Sequence, residues 1–155
     1  LGGTGEQALI ALTDVADEWM KETPGIERVV SGMAQGWDTA VALAALNNNI
    51  PLVAAVPFRG QEKTWPAEAW ALYQMILDRA AKVVVVSRGD YASWKMQRRN
   101  VWMVDQLRRD TDDTLLAMHD GTFGGTYNCL KYARSRPYEL RIVNLYKRWL
   151  ARRPS

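Results

Sequence analysis

Two glycine-rich stretches of the chain carry the residue types that bind phosphate groups. In residues 31–38, Gly32 and Gly36 are followed by Asp38. Glycines let the backbone approach a phosphate closely, and a helix that begins after such a loop offers free N–H groups and a positive dipole end. Asp38 could then accept hydrogen bonds from ribose hydroxyls. The structural alternative is that the glycines only make a tight turn and Asp38 caps the helix.

The second stretch covers residues 120–126 and is denser in the same residue types. It holds three glycines and two threonines within seven residues. Threonine hydroxyls and free backbone amides are groups that a phosphate needs. The alternative is a plain connection in which Thr126 caps the next helix. Two loops of this kind, both predicted to follow a strand and open a helix, favour a ligand site more than either loop alone.

Two further segments hold candidates. In residues 57–65, Phe58 could stack on a base and Gln61 could read a base edge, although the aromatic residues could equally pack on the sheet edge, which we favour for Trp65. In residues 96–105, an arginine could clamp a phosphate through two hydrogen bonds, but spacing alone favours a solvated basic face. The candidate ligand-binding residues are Ser31, Gly32, Gly36, Asp38, Pro57, Phe58, Gln61, Arg99, Asn100, Asp120, Gly121, Gly124, Gly125 and Thr126.

Other kinds of site are not indicated by the sequence. His119 is the single histidine and Cys129 the single cysteine, so we expect neither a metal site nor a disulfide, and we predict no cofactor. The chain lacks a P-loop motif and a nucleophile-elbow motif. We see no signal peptide and no apolar run of about 20 residues, which a membrane span requires. The expected location is the cytoplasm.

The elements that must position these loops follow from apolar runs and periodicity. Helices are predicted at residues 6–22, 37–46, 66–80, 92–109 and 126–136, and strands at 26–30, 50–56, 82–86, 114–118 and 139–145. Alternation of near-continuous apolar strands with helices predicts an α/β fold, a Rossmann-like three-layer sandwich with a mainly parallel sheet. Ligands bind such sheets beyond the carboxyl ends of the strands. The loops singled out above all lie there or in the helix that follows.

The length of 155 residues fits one domain, which we place at residues 1–145, followed by a basic C-terminal tail at 146–155. The net charge of +3 is only mildly basic, so we interpret the tail as a solvated terminus rather than a nucleic-acid contact. Sheets of this class usually begin with a strand, whereas the first element here is a helix, and the first residue is Leu1. We therefore expect that a first strand is missing.

Four segments in this order resemble the SLOG superfamily, and within it the YpsA-like branch, also called the domain of unknown function 1273 group, which bacteria and phages carry. The matching segments are residues 31–38, 57–61, 99–105 and 121–126, and the resemblance runs over about residues 1–145. It implies a Rossmann-like fold with a site for a nucleotide derivative. Gly32 and Gly36 would shape the first loop with Asp38 beside it. Arg99 and Asn100 would face the pocket, and residues 124–126 would hold a phosphate.

Two departures from this pattern stand out. The YpsA-like group opens with a strand that ends in Thr-Gly-His-Arg just before a Leu-Gly-Gly segment, and this sequence starts at that segment. The phosphoribohydrolases of the wider superfamily follow a Pro-Gly-Gly-x-Gly-Thr motif with a catalytic glutamate. Here Thr126 is followed by Tyr127, Asn128 and Cys129, so the helix lacks the carboxylate that N-glycosidic cleavage needs.

Three functions remain open on the sequence. The one we favour is a sensor-type module that binds a nucleotide or a nucleotide-derived small molecule without catalysis. The second is a phosphoribohydrolase-like N-glycosidase, with Asp38, Asp120 and Glu62 as candidate acids or bases. The third is a nucleic-acid-binding protein, by analogy with the DNA-processing members of the superfamily. Seven tryptophans and six methionines also favour a homodimer, because aromatic surface patches mark interfaces.

Overall fold

The molecule alternates helices with parallel strands, and the computed structural model describes residues 2–154, with side chains from residue 5 onward. Helices lie on both sides of the strands, so the predicted Rossmann-like α/β class is confirmed. The helices are α1 (Gly2–Glu22), α2 (Trp37–Asn47), α3 (Ala67–Arg79), α4 (Trp94–Asp105), α5 (Gly125–Arg134) and α6 (Tyr146–Arg152). The strands are β1 (Val29–Ser31), β2 (Leu52–Phe58), β3 (Lys82–Ser87), β4 (Thr114–Ala117) and β5 (Arg141–Asn144), and a short 3-10 turn spans Gln61–Thr64.

Hydrogen bonds divide the strands into two parallel sheets. The first has the order β1-β2-β3 and the second pairs β4 with β5. The two sheets point the same way. Arg108, just before β4, lies 3.9 Å from the carboxylate of Glu27, just before β1, and the Trp37 indole, just after β1, donates to the carbonyl oxygen of Leu116 near the end of β4 at 3.3 Å. The single continuous sheet expected from the sequence is thus interrupted between β1 and β4.

The core is centred on β2, where all seven residues are buried. This strand lies between two others, and small side chains on α2 let that helix approach it closely. Ala40, Ala42, Ala44 and Ala45 of α2 are fully buried. Met33, Tyr73 and Ile76 complete the same core. The alanine-rich sequence of α2 therefore explains both the helix and its position, and it fixes the loop between β1 and α2.

One expectation about burial is wrong. The run of four valines in β3 predicts a strand that is buried on both faces, yet Val83 is 43% exposed, because β3 is the outer strand of its sheet. The predicted basic tail, residues 146–155, contains the short helix α6, none of whose residues is buried. Arg148 binds Glu22 at 2.9 Å and Arg152 binds Glu18, so both arginines are occupied by carboxylates of α1.

Element ends also differ from expectation. The first predicted strand shortens to Val29–Ser31, and α4 ends at Asp105 rather than at residue 109. The side chain of Asp113 explains the second difference, since it accepts hydrogen bonds from the backbone N–H of Arg108 at 2.7 Å and from its guanidinium. These bonds hold the chain in a turn where the helix would have continued. Within residues 2–154, no helix combines the length and apolar character that crossing a membrane requires.

Candidate functional site

The first glycine-rich loop, residues 31–36, lies at the carboxyl end of β1 and is held by hydrogen bonds from the side chains of Ser31 and Asp38. The hydroxyl of Ser31 donates to the carbonyl of Asp38 at 2.7 Å and accepts from the N–H of Met33 at 3.2 Å. The Asp38 carboxylate accepts from the N–H of Ala34 at 3.2 Å. Asp38 therefore lies in the first turn of α2 and ties the loop back to the helix, whereas Gly36 remains exposed with a φ of 88°.

Arg99 of α4 reaches the same loop and is buried, with 6% of its surface exposed. Its guanidinium donates to the carbonyl of Gly32 and to the side-chain oxygen of Asn100 at 3.0 Å. Burial raises the pKa of Asp38, and the positive charge of Arg99 opposes that rise only in part. The solvated basic face that spacing favoured is therefore wrong at Arg99, whose charge lies inside the molecule beside a carboxylate.

Gly32 lies between these two charged side chains. A Cβ atom at this position would come within 2.8 Å of the Asp38 carboxylate and 2.9 Å of the Arg99 side chain. Real Cβ atoms essentially never come so close to another group, and the side chains on both sides are hydrogen-bonded in place. Close approach, rather than an unusual backbone angle, is therefore the reason for glycine here.

The second glycine-rich loop opens α5 and connects to the first through Asn100. The amide nitrogen of Asn100 lies 3.4 Å from the carbonyl of Gly125. The residue that caps α5 is Gly124, with φ 152°, so no side chain caps the first turn. Thr126 lies inside that turn rather than at the cap, which corrects the alternative considered above. Gly124, Gly125 and Thr126 are all exposed, so an uncapped helix start faces solvent beside the Arg99 cluster.

Asp120 and Gly121 form a separate turn before this helix. The Asp120 carboxylate accepts from the N–H of Thr122 at 2.9 Å and from its hydroxyl at 2.6 Å. These hydrogen bonds hold the pKa of Asp120 below its usual value. Asp120 is therefore a poor general acid. His119 lies beside it, with its ring nitrogen 3.0 Å from the carbonyl of Thr122, and Phe123 projects outward with 84% of its surface exposed.

The loop after β2 packs against the first glycine-rich loop and does not present an exposed surface to a ligand. Pro57 is fully buried and Phe58 is 5% exposed, and the Phe58 ring packs edge-on against Tyr91 with centroids 5.9 Å apart. The side-chain nitrogen of Gln61 donates to the carbonyl of Met33 at 3.1 Å and lies 3.3 Å from the Tyr73 hydroxyl. Gln61 thus fixes the first glycine loop. Neither Phe58 nor Gln61 presents the surface that base stacking or base reading would need.

Three further polar groups lie buried at this edge. Lys95 is 5% exposed, and its ammonium donates to the carbonyl of Arg88 at 2.6 Å and lies 5.7 Å from the Phe58 ring centre. Within the described part of the chain, one carboxylate oxygen of Glu62 and the hydroxyl of Ser87 are buried without a hydrogen-bond partner. Sequence reasoning missed Ser87 and Lys95, although the same rule that ligands lie beyond strand ends would have pointed to the loop after β3.

Cys129 on α5 is largely buried, and its thiol is within electrostatic reach of Asp38 and Arg99. Burial raises the pKa of the Cys129 thiol to about 11, and the negative charge of Asp38 adds to this rise. The group is therefore a neutral thiol at pH 7 and not a nucleophile. Across residues 2–154, no three His, Cys, Asp or Glu side chains are grouped to hold a metal ion. At this edge of the sheet, the free backbone N–H groups at the start of α5 can donate hydrogen bonds to a ligand. The buried charges of Arg99 and Asp38 lie close to them.

This chain resembles one known protein in sequence and a solved structure in fold. The chain is 30% identical over 123 residues, covering 69% of both sequences, to the uncharacterized SPbeta prophage-derived protein YoqJ of Bacillus subtilis (strain 168). No family model matches the chain. The solved structure of DNA processing protein A (DprA) from Streptococcus pneumoniae matches this chain over its whole length, with 15% sequence identity and a TM-score of 0.42. The match covers 58% of the DprA chain. A likeness at that level carries no argument about function.

Proposed function

This chain belongs to the family of the prophage-derived protein YoqJ, and we propose that it is a binding module, of the sensor type, for a nucleotide or a nucleotide-derived phosphorylated small molecule. The relative is uncharacterized, so the proposal stands on the site. We further propose that the family is a YpsA-like branch of the SLOG superfamily, in line with the four segments described above.

The observation that carries the proposal is that both glycine-rich loops meet at α4. Arg99 binds the carbonyl of Gly32 in the first loop. The neighbouring residue, Asn100, reaches Gly125 of the second loop. Helix starts bind phosphates because their first amides are free and carry a partial positive charge. The exposed, uncapped start of α5 is where we place the phosphate, with Gly124, Gly125 and Thr126 as its contacts.

The carboxylates at this edge favour binding over catalysis. Asp120 is held ionised by Thr122, so it cannot supply a proton at neutral pH. Asp38 is bonded to the loop amide of Ala34 and stands next to Arg99. Because the Asp38 carboxylate is used to hold the loop, it is poorly placed to contact a substrate.

One observation favours the N-glycosidase as a second candidate. The raised pKa of Asp38 is the direction that a general acid needs near neutral pH. Incubation with nucleoside monophosphates, followed by chromatography, tests this. Release of free base that is abolished in Asp38→Asn, with the variant shown to be folded, would replace the binding module with an enzyme.

Thermal-shift titration tests the binding module directly. The panel contains nucleoside mono-, di- and triphosphates, NAD, ADP-ribose and cyclic nucleotides. A ligand at a hundred times its Kd adds about 2.7 kcal/mol of stability, which a melting curve resolves. We expect a selective shift, and we expect Thr126→Asp to weaken it about tenfold or more, because a carboxylate in the first turn of α5 repels a bound phosphate.

Ala67→Asp is the matched control. Ala67 is also exposed and lies in the first turn of a helix, α3, as Thr126 does in α5, so both variants add a carboxylate that the helix dipole favours. Ala67→Asp should leave the ligand shift unchanged. Absence of any selective shift for the folded chain contradicts the proposal. Equal weakening by both variants would place the ligand away from α5.

A further inference from the structure

The loop between β3 and α4 encloses a buried positive charge. Lys95, the second residue of α4, is 5% exposed, and its ammonium donates to the backbone carbonyls of Arg88 and Asp90. Gly89, between these two residues, has a φ of 80°, which lets the chain turn so that both carbonyls reach the ammonium. An ammonium has three N–H donors, so one donor remains after these two bonds.

Among the residues that the structure describes, no carboxylate lies within ion-pair distance of this ammonium. The rings of Phe58 and Trp94, with centres 5.7 and 5.5 Å from the nitrogen, attract a cation only weakly. The first turn of α4 has no acidic residue, and the positive end of the helix dipole lies there. A full and a partial positive charge therefore lie together in a buried place, which costs stability unless an anion binds.

A buried hydroxyl without a partner lies on the same side of the sheet. Ser87, the last residue of β3, is 6% exposed, and its hydroxyl makes no hydrogen bond within the described structure. Ser87 is paired with Phe58 of β2, so both side chains project from the same face of the sheet. The Lys95 ammonium covers that face at Phe58. Buried hydroxyls nearly always have a partner, so Ser87 points to a group that binds here.

We propose that Ser87, Lys95 and the start of α4 form a second anion subsite, which binds a phosphate group of the ligand other than the one held at α5. This inference rests on the proposed function, because it concerns the same phosphorylated ligand. Lys95 and Arg99 are four positions apart and lie on one face of α4. The subsite thus continues the line of polar groups that runs from Arg99 and Asn100 to Gly125. The ligand is then a nucleotide with two phosphate groups.

Ser87 separates this role from a purely structural one. Lys95 holds the loop through its two carbonyl contacts, so its replacement affects the fold as well as any anion. The Ser87 hydroxyl contributes no hydrogen bond to the fold. Ser87→Ala should therefore leave Tm unchanged or raise it, because burial of an unpaired polar group costs stability, and it should still weaken the binding of an anion.

Titration with inorganic phosphate, followed through the amide NMR resonances of residues 87–95, tests the subsite without a nucleotide. Sodium chloride at equal ionic strength is the reference for screening. We expect phosphate-specific shifts in the wild type. The apparent affinity should fall about fivefold or more in Ser87→Ala and about tenfold or more in Lys95→Met. Lys63→Met is the matched control, because it removes an exposed positive charge at the same edge and should leave the affinity unchanged.

Isothermal titration calorimetry with nucleotides then assigns the subsite to the ligand. The probes are nucleoside 5′-monophosphates and the corresponding 5′-diphosphates and 3′,5′-bisphosphates. We expect the wild type to bind one of the two-phosphate forms about tenfold or more tightly than the monophosphate. Ser87→Ala should lose most of this preference and bind the monophosphate as the wild type does.

Three outcomes would overturn the subsite. Shifts in phosphate that equal those in chloride mean that no anion binds at this loop. A lower Tm with unchanged phosphate affinity in Ser87→Ala means that the hydroxyl serves the fold. Nucleotide binding with the same preference in Ser87→Ala leaves the binding module without this subsite. Phosphate-specific shifts that Ser87→Ala weakens, in a chain that binds no nucleotide, would instead support the anion subsite and contradict the proposed function.

Discussion

Gly32 is the position in the site with the least space for a larger side chain. It lies between Asp38 and Arg99, and each of these is fixed by hydrogen bonds to the loop backbone. A methyl group added here must displace one of two partly or fully buried charged side chains. The free-energy cost of such overpacking is about 1–3 kcal/mol.

We therefore expect Gly32→Ala to lower the free energy of unfolding by about 1–3 kcal/mol, measured by urea denaturation. The control is Gly125→Ala in the other loop. A Cβ at Gly125 meets nothing within 4 Å, and alanine is favoured over glycine in a helix by up to about 1 kcal/mol. If the two substitutions have the same effect, close packing around Gly32 is not what requires the glycine.

Individual residues of the site differ in how far the sequence predicts their positions. Glycine spacing indicated both loops, and threonines added to the signal in the second, because local chain geometry depends on local sequence. The burial of Arg99 was not foreseeable from helical spacing, since its partner is a carbonyl 67 positions away. Gln61 was expected to read a base edge, whereas its side chain binds the carbonyl of Met33, a contact that depends on tertiary packing.

The turn between α4 and β4 shows how one side chain ends a helix. Asp113 accepts two hydrogen bonds from the Arg108 guanidinium, both at 3.0 Å, in addition to the one from its backbone N–H. These bonds lower the pKa of Asp113 from 3.8 to about 2. Because the pKa is lower in the folded state, the carboxylate stabilises the protein above pH 3.8, and that stability is lost as the pH falls toward 2.

Asp113→Asn should cost up to about 1 kcal/mol at pH 7, a modest value because Arg108 is 62% exposed and its charge is screened by solvent. The difference from the wild type should shrink below pH 3.8 and disappear only below pH 2, once the folded-state carboxylate is also protonated. Denaturation curves over this pH range provide the measurement. Asp112→Asn is the control, because Asp112 is exposed and its side chain makes no hydrogen bond or ion pair within the described structure, and this variant should differ little from the wild type over the same range.

Elements were predictable where apolar runs are long. β2 and α3 are found close to their expected positions because Leu52–Phe58 is a continuous apolar run and Pro66 marks a helix start. The exposure of β3 could not be predicted, since a run of valines indicates a strand but not whether that strand lies at the edge of the sheet. The end of α4 depended on Asp113, which follows the helix by eight residues. Strand order and edge status are properties of the assembled sheet, not of any one segment.

At the scale of the whole molecule, a single indole bridges the two sheets between β1 and β4. Trp37 belongs to α2, which packs on the first sheet, and its ring nitrogen donates to Leu116 of the second. Replacement by phenylalanine keeps an aromatic ring but leaves the Leu116 carbonyl without this donor. A hydrogen bond of this kind contributes about 1 kcal/mol to folding.

Trp37→Phe should therefore reduce the free energy of unfolding by about 1 kcal/mol or more, as followed by urea denaturation with circular dichroism. Trp70→Phe is the matched control. Trp70 lies on α3 with 40% of its surface exposed, and surface replacements change stability by less than about 0.5 kcal/mol. A Trp37 variant as stable as the Trp70 variant would show that the two sheets are held together by other contacts.

The pairing of α6 with α1 has a consequence for the order of folding events. The bond between Glu18 and Arg152 joins residues 134 positions apart, so its formation must close nearly the longest loop that the chain allows. The entropic cost of loop closure rises with length, and the two ion pairs between the helices are partly exposed to solvent, so they offset that cost only weakly. Their docking then comes after the transition state for folding, so mutations that weaken it speed unfolding and leave the folding rate nearly unchanged.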